Sequence, residues 1–329
     1  MPSLIEQPVH SSSAAVAGLT CQCPRCGGAL DARAGQYVSA LTCNGCSFLM
    51  EQHQGVWLAL PEERVAYYAR FIADYEMIRA AEGRGSKNAQ YYLSLPYVDT
   101  SGQNQAQWTI RARTYSYLVQ HIFPRIKTAA GVGARVLDIG AGNGWMSYRL
   151  AQMGFRPVAV DLLINDQDGL GAAKHYRQQL PEMFPAVQAE STRLPFASQQ
   201  FDAVIFNASF HYAEDYRTSL REAVRCLKSG GLIVIADSPW YSQASSGERM
   251  LAERHEGFLK RFGTPSNSIP SLEFLTDARL NDLEQALHLR LERHVPFYGL
   301  KWSMRPLIAR VRGRREPARF RIYTARKAA

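Results

Sequence analysis

Residues 135–150 read RVLDIGAGNGWMSYRL, and PVAVDLL follows at 157–163. Val136-Leu137-Asp138-Ile139 has the length and apolar character of a buried strand, and Trp145 onward reads as a helix. Between them runs Gly140-Ala141-Gly142-Asn143-Gly144, a turn whose glycines reach positive φ and let the backbone approach a ligand. The second strand, Pro157 to Val160, ends in Asp161, 21 residues after Gly140, where an acid can accept both hydroxyls of a ribose. A dinucleotide fingerprint needs a third glycine at position 145, which holds Trp145. No Lys-Ser/Thr pair follows the turn, which excludes a P-loop. Asp138, just before the turn, suits a ligand that carries an ammonium group.

The pattern continues downstream. AESTRLPFASQQFDAVIFNASFHYAEDY (189–216) and EAVRCLKSGGLIVIADSPWY (222–241) hold two further apolar strands, each with a turn at its end. Taken in this order, the stretch from Arg135 to Tyr241 resembles the class I S-adenosylmethionine-dependent methyltransferases, in particular their type 11-like core. The resemblance implies a Rossmann-like α/β fold with a seven-stranded sheet whose last strand is antiparallel. By position it puts Asp138, Gly140 and Gly142 around the methionine part of S-adenosyl-L-methionine, with Ala141 and Asn143 in the same turn. Asp161 would hold the ribose and Leu162 lie beside the adenine. Glu190, where the family usually has Asp, would meet the exocyclic amine, with Ser191 next to it. Asn207 would face the sulfonium. A general base is needed only if the acceptor must lose a proton. The candidates are His211, Tyr212 and Asp237, all expected at carboxyl ends of strands.

The acceptor is less legible. The fourth motif lacks the Asn/Asp-Pro-Pro-aromatic signature of nucleobase amino methylation, and no second catalytic cysteine accompanies it. NASFHY resembles the branch that acts on small molecules, so a small-molecule acceptor is expected. The alternatives are a ribbon-bearing RNA base methyltransferase and a non-catalytic binding module.

Five of the six cysteines fall between Cys21 and Cys46. Cys23-x2-Cys26 and Cys43-x2-Cys46 flank sixteen residues, the spacing of a four-thiolate zinc ribbon. Four thiolates close the coordination sphere, so the expected zinc is structural. A disulfide pair is the other reading, but no secretory signal supports it. CPRCGGAL (23–30) and CNGCSFLMEQHQGVWLAL (43–60) resemble the small zinc-ribbon proteins that activate methyltransferases. Cys226 reads as a buried hydrophobe.

The chain of 329 residues is 46% hydrophobic and 20% charged, which excludes global disorder. No apolar run approaches the ~18 residues of a membrane span. A cytoplasmic protein with no membrane partner is therefore expected. The net charge of +9 is concentrated in Arg305 to Ala329, where eight Arg and one Lys meet one Glu. In that region ARFRIYTARK (318–327) alternates like a last strand, with 287–296 as its partner.

The expected organisation is a disordered leader (1–19), a zinc ribbon (20–60), a helical bridge (61–128) and the methyltransferase domain (129–329) with a mobile insertion at 238–277. Within the bridge, Pro61 and Glu62-Glu63 open a helix that runs to about Ala81. Tyr91 to Asn104 reads as an ordered loop and Gln107 to Phe123 as a second helix. These helices would either cover an active site or merely pack between ribbon and core.

Overall fold

The computed structural model describes residues 15–16, 18–32, 40–131 and 133–328. Its elements follow the chain in three blocks. The ribbon block holds β1 (Ala15–Val16), β2 (Leu19–Thr20), β3 (Leu30–Ala32), β4 (Ala40–Cys43), β5 (Leu49–His53) and β6 (Val56–Leu58). The bridge holds α1 (Glu62–Ala81), α2 (Ala89–Ser94), α3 (Gln105–Tyr117), a π-helical turn at Leu118–Ile122 and α4 (Phe123–Ala130). The remainder alternates strand and helix: β7 (Arg135–Ile139), α5 (Trp145–Gln152), β8 (Arg156–Asp161), β9 (Ala186–Gln188), β10 (Phe201–Asn207), α6 (Tyr216–Cys226) and β11 (Leu227–Ala236). Then come α7 (Ala244–Phe262), α8 (Asp277–Leu287), β12 (Glu292–His294), α9 (Leu300–Ser303), α10 (Arg305–Val311) and β13 (Ile322–Arg326).

The aliphatic runs of β7, β10 and β11 form the middle of one mixed sheet, because strands covered on both faces must be apolar on both. The order is β12-β13-β11-β10-β7-β8-β9-β6-β5-β4-β3, with β13 antiparallel to β11. Seven of these strands, β12 through β9, come from the alternating block. The sheet is nevertheless eleven-stranded, because the ribbon adds four strands to the β9 edge. β6 lies parallel to β9, with Val56 opposite Ala186 and Leu58 opposite Gln188. The Ala59 N–H continues the ladder to the Gln188 carbonyl at 2.9 Å. A free β9 edge would present unpaired backbone groups, and the ribbon removes that liability.

Ribbon and sheet share one apolar core. Cys21, Leu41 and Met50 belong to the same buried cluster as Leu137, Val158 and Ile233. The bridge helices pack on the opposite face, where Trp108 and Tyr115 meet Trp145 and Val136.

Several boundaries differ from the sequence expectation. Most of the expected leader, 1–14 and 17, lies outside the described residues. Its end is ordered: β1 and β2 pair, and Val16 and Leu19 are buried, because they pack into the ribbon side of the core. The expected loop at 91–104 begins inside α2. The second bridge helix runs from 105 to 130 and is interrupted by the π-turn. About half of the insertion at 238–277 is helical, since α7 spans nineteen of its residues.

Candidate cofactor and metal sites

The four cysteines of the two CxxC pairs converge. The Sγ atoms of Cys23, Cys26, Cys43 and Cys46 all lie within 4.8 Å of one another. Cys23 and Cys46 are 3.6 Å apart and Cys26 and Cys43 are 3.4 Å apart, well beyond disulfide bonding. Sulfurs that each sit ~2.3 Å from a central ion occupy a cluster of this size. Cys21 stays outside: its thiol donates to the Leu19 carbonyl, and burial pushes its pKa up to about 11.

The carboxyl ends of β7, β8 and β10 and the exit of β9 open into one cavity. Gly140 takes φ +74°, and a Cβ there would lie 2.1 Å from Ser209 Cβ, so the turn tolerates no side chain at that position. The Gly142 N–H donates to Asp161 Oδ2 at 2.7 Å and the Leu163 N–H to Oδ1 at 2.8 Å, which fixes the carboxylate plane. Burial pushes the Asp161 pKa up to about 6, against those two donors. Asp138 is buried with Ser147 Oγ donating to it at 2.7 Å and has no cationic partner among the described residues; burial raises its pKa to about 7.

The other expected cofactor residues also line this cavity: Ala141, Asn143, Leu162, Glu190, Ser191 and Asn207. Asn143 Oδ1 accepts the Trp145 N–H at 3.2 Å just before α5. The buried Oδ1 of Asn207 has no hydrogen-bond partner among the described residues. Glu190 is held from above. Arg64 Nη2 and Nε donate to it at 2.6 and 3.0 Å, and the Tyr68 hydroxyl donates at 2.9 Å.

Both of those donors belong to α1, which roofs the cavity. Tyr68, Phe71, Tyr75 and Arg79 face inward at three- and four-residue steps, the spacing of one helical face. Arg79 closes the far end by pairing with Asp168 at 2.5 Å. Arg111 on α3 also reaches the cavity, stacked over Trp108 at 4.8 Å, and its side chain forms no hydrogen bond or ion pair among the described residues. These roof residues were not among the candidates read from the sequence. The helix itself was expected from Pro61 and Glu62-Glu63, with covering an active site as one of its two roles, but nothing in the sequence singled out which of its side chains would face the cavity.

The three candidate bases separate. Tyr212 lines the cavity, its ring 5.8 Å from that of Tyr75. His211 is buried outside the lining, with Nδ1 3.4 Å from Ser238 Oγ, and burial lowers its pKa to about 4. Asp237 also lies outside the lining. It accepts from Thr114 Oγ1 at 2.5 Å, and burial raises its pKa to about 6. One of its oxygens is buried without a partner among the described residues.

The architecture is a methyltransferase-like α/β fold with a mixed sheet. Residues 137–235 match the family model described as "Methyltransferase domain". Demethylmenaquinone methyltransferase of Mycobacterium marinum is 35% identical over 107 residues, which is 32% of this chain and 42% of that protein. The chain thus spans about two fifths of the length of the first curated relatives it matches. Among solved structures, a putative sarcosine dimethylglycine methyltransferase from Galdieria sulphuraria aligns with TM-score 0.48 at 14% identity, covering 78% of this chain and 98% of that one. Haemonchus contortus phosphoethanolamine N-methyltransferase 2, in complex with S-adenosyl-L-methionine, aligns with TM-score 0.45 at 15% identity over 74% and 61% of the two chains.

Proposed function

We propose that the protein is an S-adenosylmethionine-dependent methyltransferase acting on a small-molecule acceptor, with a structural zinc in its four-cysteine cluster. The observation that carries this reading is the pair of desolvated acids, Asp138 and Asp161, at adjacent strand ends on either side of the glycine turn. A ligand with an ammonium group and a vicinal diol matches that pair of acceptors. The orphaned Oδ1 of Asn207 offers a further acceptor near the developing charge.

When bound, the cofactor supplies an electrophilic methyl on a good leaving group, so the transfer is an in-line displacement. The chain's own work is then orientation and exclusion of water. Asp138 would hold the ammonium and Asp161 the ribose hydroxyls. Glu190, locked by Arg64 and Tyr68, would mark the adenine end. The α1 roof keeps solvent from the reacting atoms. Of the candidate bases, Tyr212 is the one that faces the cavity, so it would take a proton from an acceptor that must lose one.

The small-molecule acceptor is supported by the closed roof and by the names of the curated relatives. Much of the basic C-terminal charge is already paired within the fold: Arg315 with Glu253, Arg319 with Glu316, and Arg321 with Asp277. At the metal cluster, four thiolates leave no open position, so the zinc would stabilise and not catalyse. Calorimetric titration of S-adenosylmethionine into wild-type protein and Asp161→Ala tests the reading. Saturable binding that the variant loses is expected; no binding to folded wild-type protein would overturn it.

A further inference from the structure

Exposed large hydrophobic side chains gather on one arm of the molecule. Between β12 and β13, Val295, Phe297, Leu300, Met304, Leu307, Ile308 and Val311 account for seven of the fifteen in the described residues. Val311 is 80% exposed and Leu300 78%. Along α9 and α10, Leu300, Met304, Leu307, Ile308 and Val311 recur at i, i+4, i+7, i+8 and i+11, a single helical stripe. A contiguous apolar stripe left in water marks an interaction surface.

Its charge is equally one-sided. From 295 to 314 the chain has five basic residues and no acid. Lys301, Arg310, Arg312 and Arg314 make no side-chain hydrogen bond or ion pair among the described residues, unlike Arg315, Arg319 and Arg321, which are paired just before β13. The arm is nonetheless anchored. Trp302 stacks on Phe320 at 5.7 Å between ring centroids, and Arg305 lies over Trp302 at 3.9 Å. At its root, the Tyr298 hydroxyl bonds Thr114 Oγ1 at 2.9 Å, the same group that donates to Asp237.

We propose that this arm, residues 295–314, docks the protein on an anionic lipid surface, with the apolar stripe in the acyl boundary and the free cations among the headgroups. Interfacial helices of this composition bind by buried apolar area together with attraction to anionic lipid. The expectation of no membrane partner rested on the lack of a spanning segment. No described helix is long and apolar enough to cross a membrane, but an interfacial helix does not cross. A second copy fits less well, because a two-fold contact would set four unpaired cations against four more. Nucleic acid would satisfy the cations but leave the apolar stripe in water.

The test is flotation of the full-length, metal-loaded protein with phosphatidylcholine vesicles, with and without phosphatidylglycerol. Two variants accompany it, Leu307→Asp with Val311→Asp and Arg310→Glu with Arg312→Glu. All four positions are on the exposed arm, and melting temperature and circular dichroism verify that the body is intact. The wild type should float with the anionic vesicles, more weakly in high salt, and each variant should lose at least about tenfold in binding. The proposal fails if the wild type ignores anionic vesicles or the variants float as well as the wild type. It fails also if sedimentation shows that the apolar variant only converts a dimer to monomer. None of these readouts uses methyl transfer, so the proposal and the functional reading can fail separately.

Discussion

The ribbon strands and the central strands belong to one sheet but are held by different forces. β7, β10 and β11 are mostly apolar and fully buried, as at Leu137, Val204 and Ile235, so burial of apolar surface chiefly secures them. β5 buries only Met50 of its five residues, and β3 and β6 are three residues long. What the ribbon strands bury joins the core of the sheet, and in the reading proposed above a metal held by the four thiolates would supply the rest of their stability. Yet the weaker end carries the roof. β6 leads directly through Pro61 into α1, and α1 reaches down to Glu190, just beyond the β9 strand that β6 pairs with. In the proposed reading, a metal-stapled edge sets the position of a helix over the candidate cofactor cavity of a hydrophobically built sheet.

The largest expected effect breaks the ribbon alone. Cys43→Ser removes one of four thiolates, and structural zinc of this type is worth on the order of 10 kcal/mol of folding energy. Metal content should fall, and limited proteolysis should cut within 20–60 while the central sheet stays protected. A ribbon that remains resistant without metal would show that packing suffices there.

Arg64→Met separates the roof from the ribbon. It leaves the buried Glu190 without its guanidinium, at a cost of roughly 3 kcal/mol, which denaturant titration should read. Zinc content should not change. In the reverse direction, Asp161→Ala should leave the metal in place and lower S-adenosylmethionine affinity by about a hundredfold, through two lost charge-assisted hydrogen bonds, with some loss of stability because the Gly142 and Leu163 N–H groups lose their acceptor.

The pH dependence sharpens the contrast because its sign differs between the free and bound protein. Burial raises the Asp138 pKa from 3.8 to about 7, so the folded state prefers the protonated acid. Its contribution to stability is present at low pH and lost as pH rises through about 7. A cationic ligand prefers the carboxylate, so affinity should rise over the same window. Asp138→Asn should flatten both curves, and parallel curves would contradict the assignment. The smallest effect lies at the surface. Arg25→Ala removes a bidentate contact to Glu63 that is exposed on both sides, and the melting temperature should not move measurably.

What was legible in the sequence was short-range. The glycine turn with Asp138 before it spans a few residues, Asp161 closes the very next strand, and each CxxC pair spans four, so spacing alone states the geometry. The roof and the shared sheet depend on long-range pairing. Nothing local in GVWLAL says that Val56 will lie beside Ala186, and the periodicity of α1 shows an apolar face without naming what it covers. His211 and Asp237 show the same limit. Both stand at strand ends, but the turn after β10 buries the imidazole beside Ser238, and Thr114 from the bridge takes the carboxylate. Position along a strand does not say which side chain a distant helix will claim.

The most direct test of the coupling between the two regions is S-adenosylmethionine affinity measured by calorimetry on the same protein before and after zinc is removed by a chelator, with circular dichroism confirming that the sheet persists. If the ribbon holds the roof in place, affinity falls by at least about tenfold without metal and returns when zinc is restored. Unchanged affinity in the metal-free protein would contradict it and leave the ribbon a passive cover for the β9 edge.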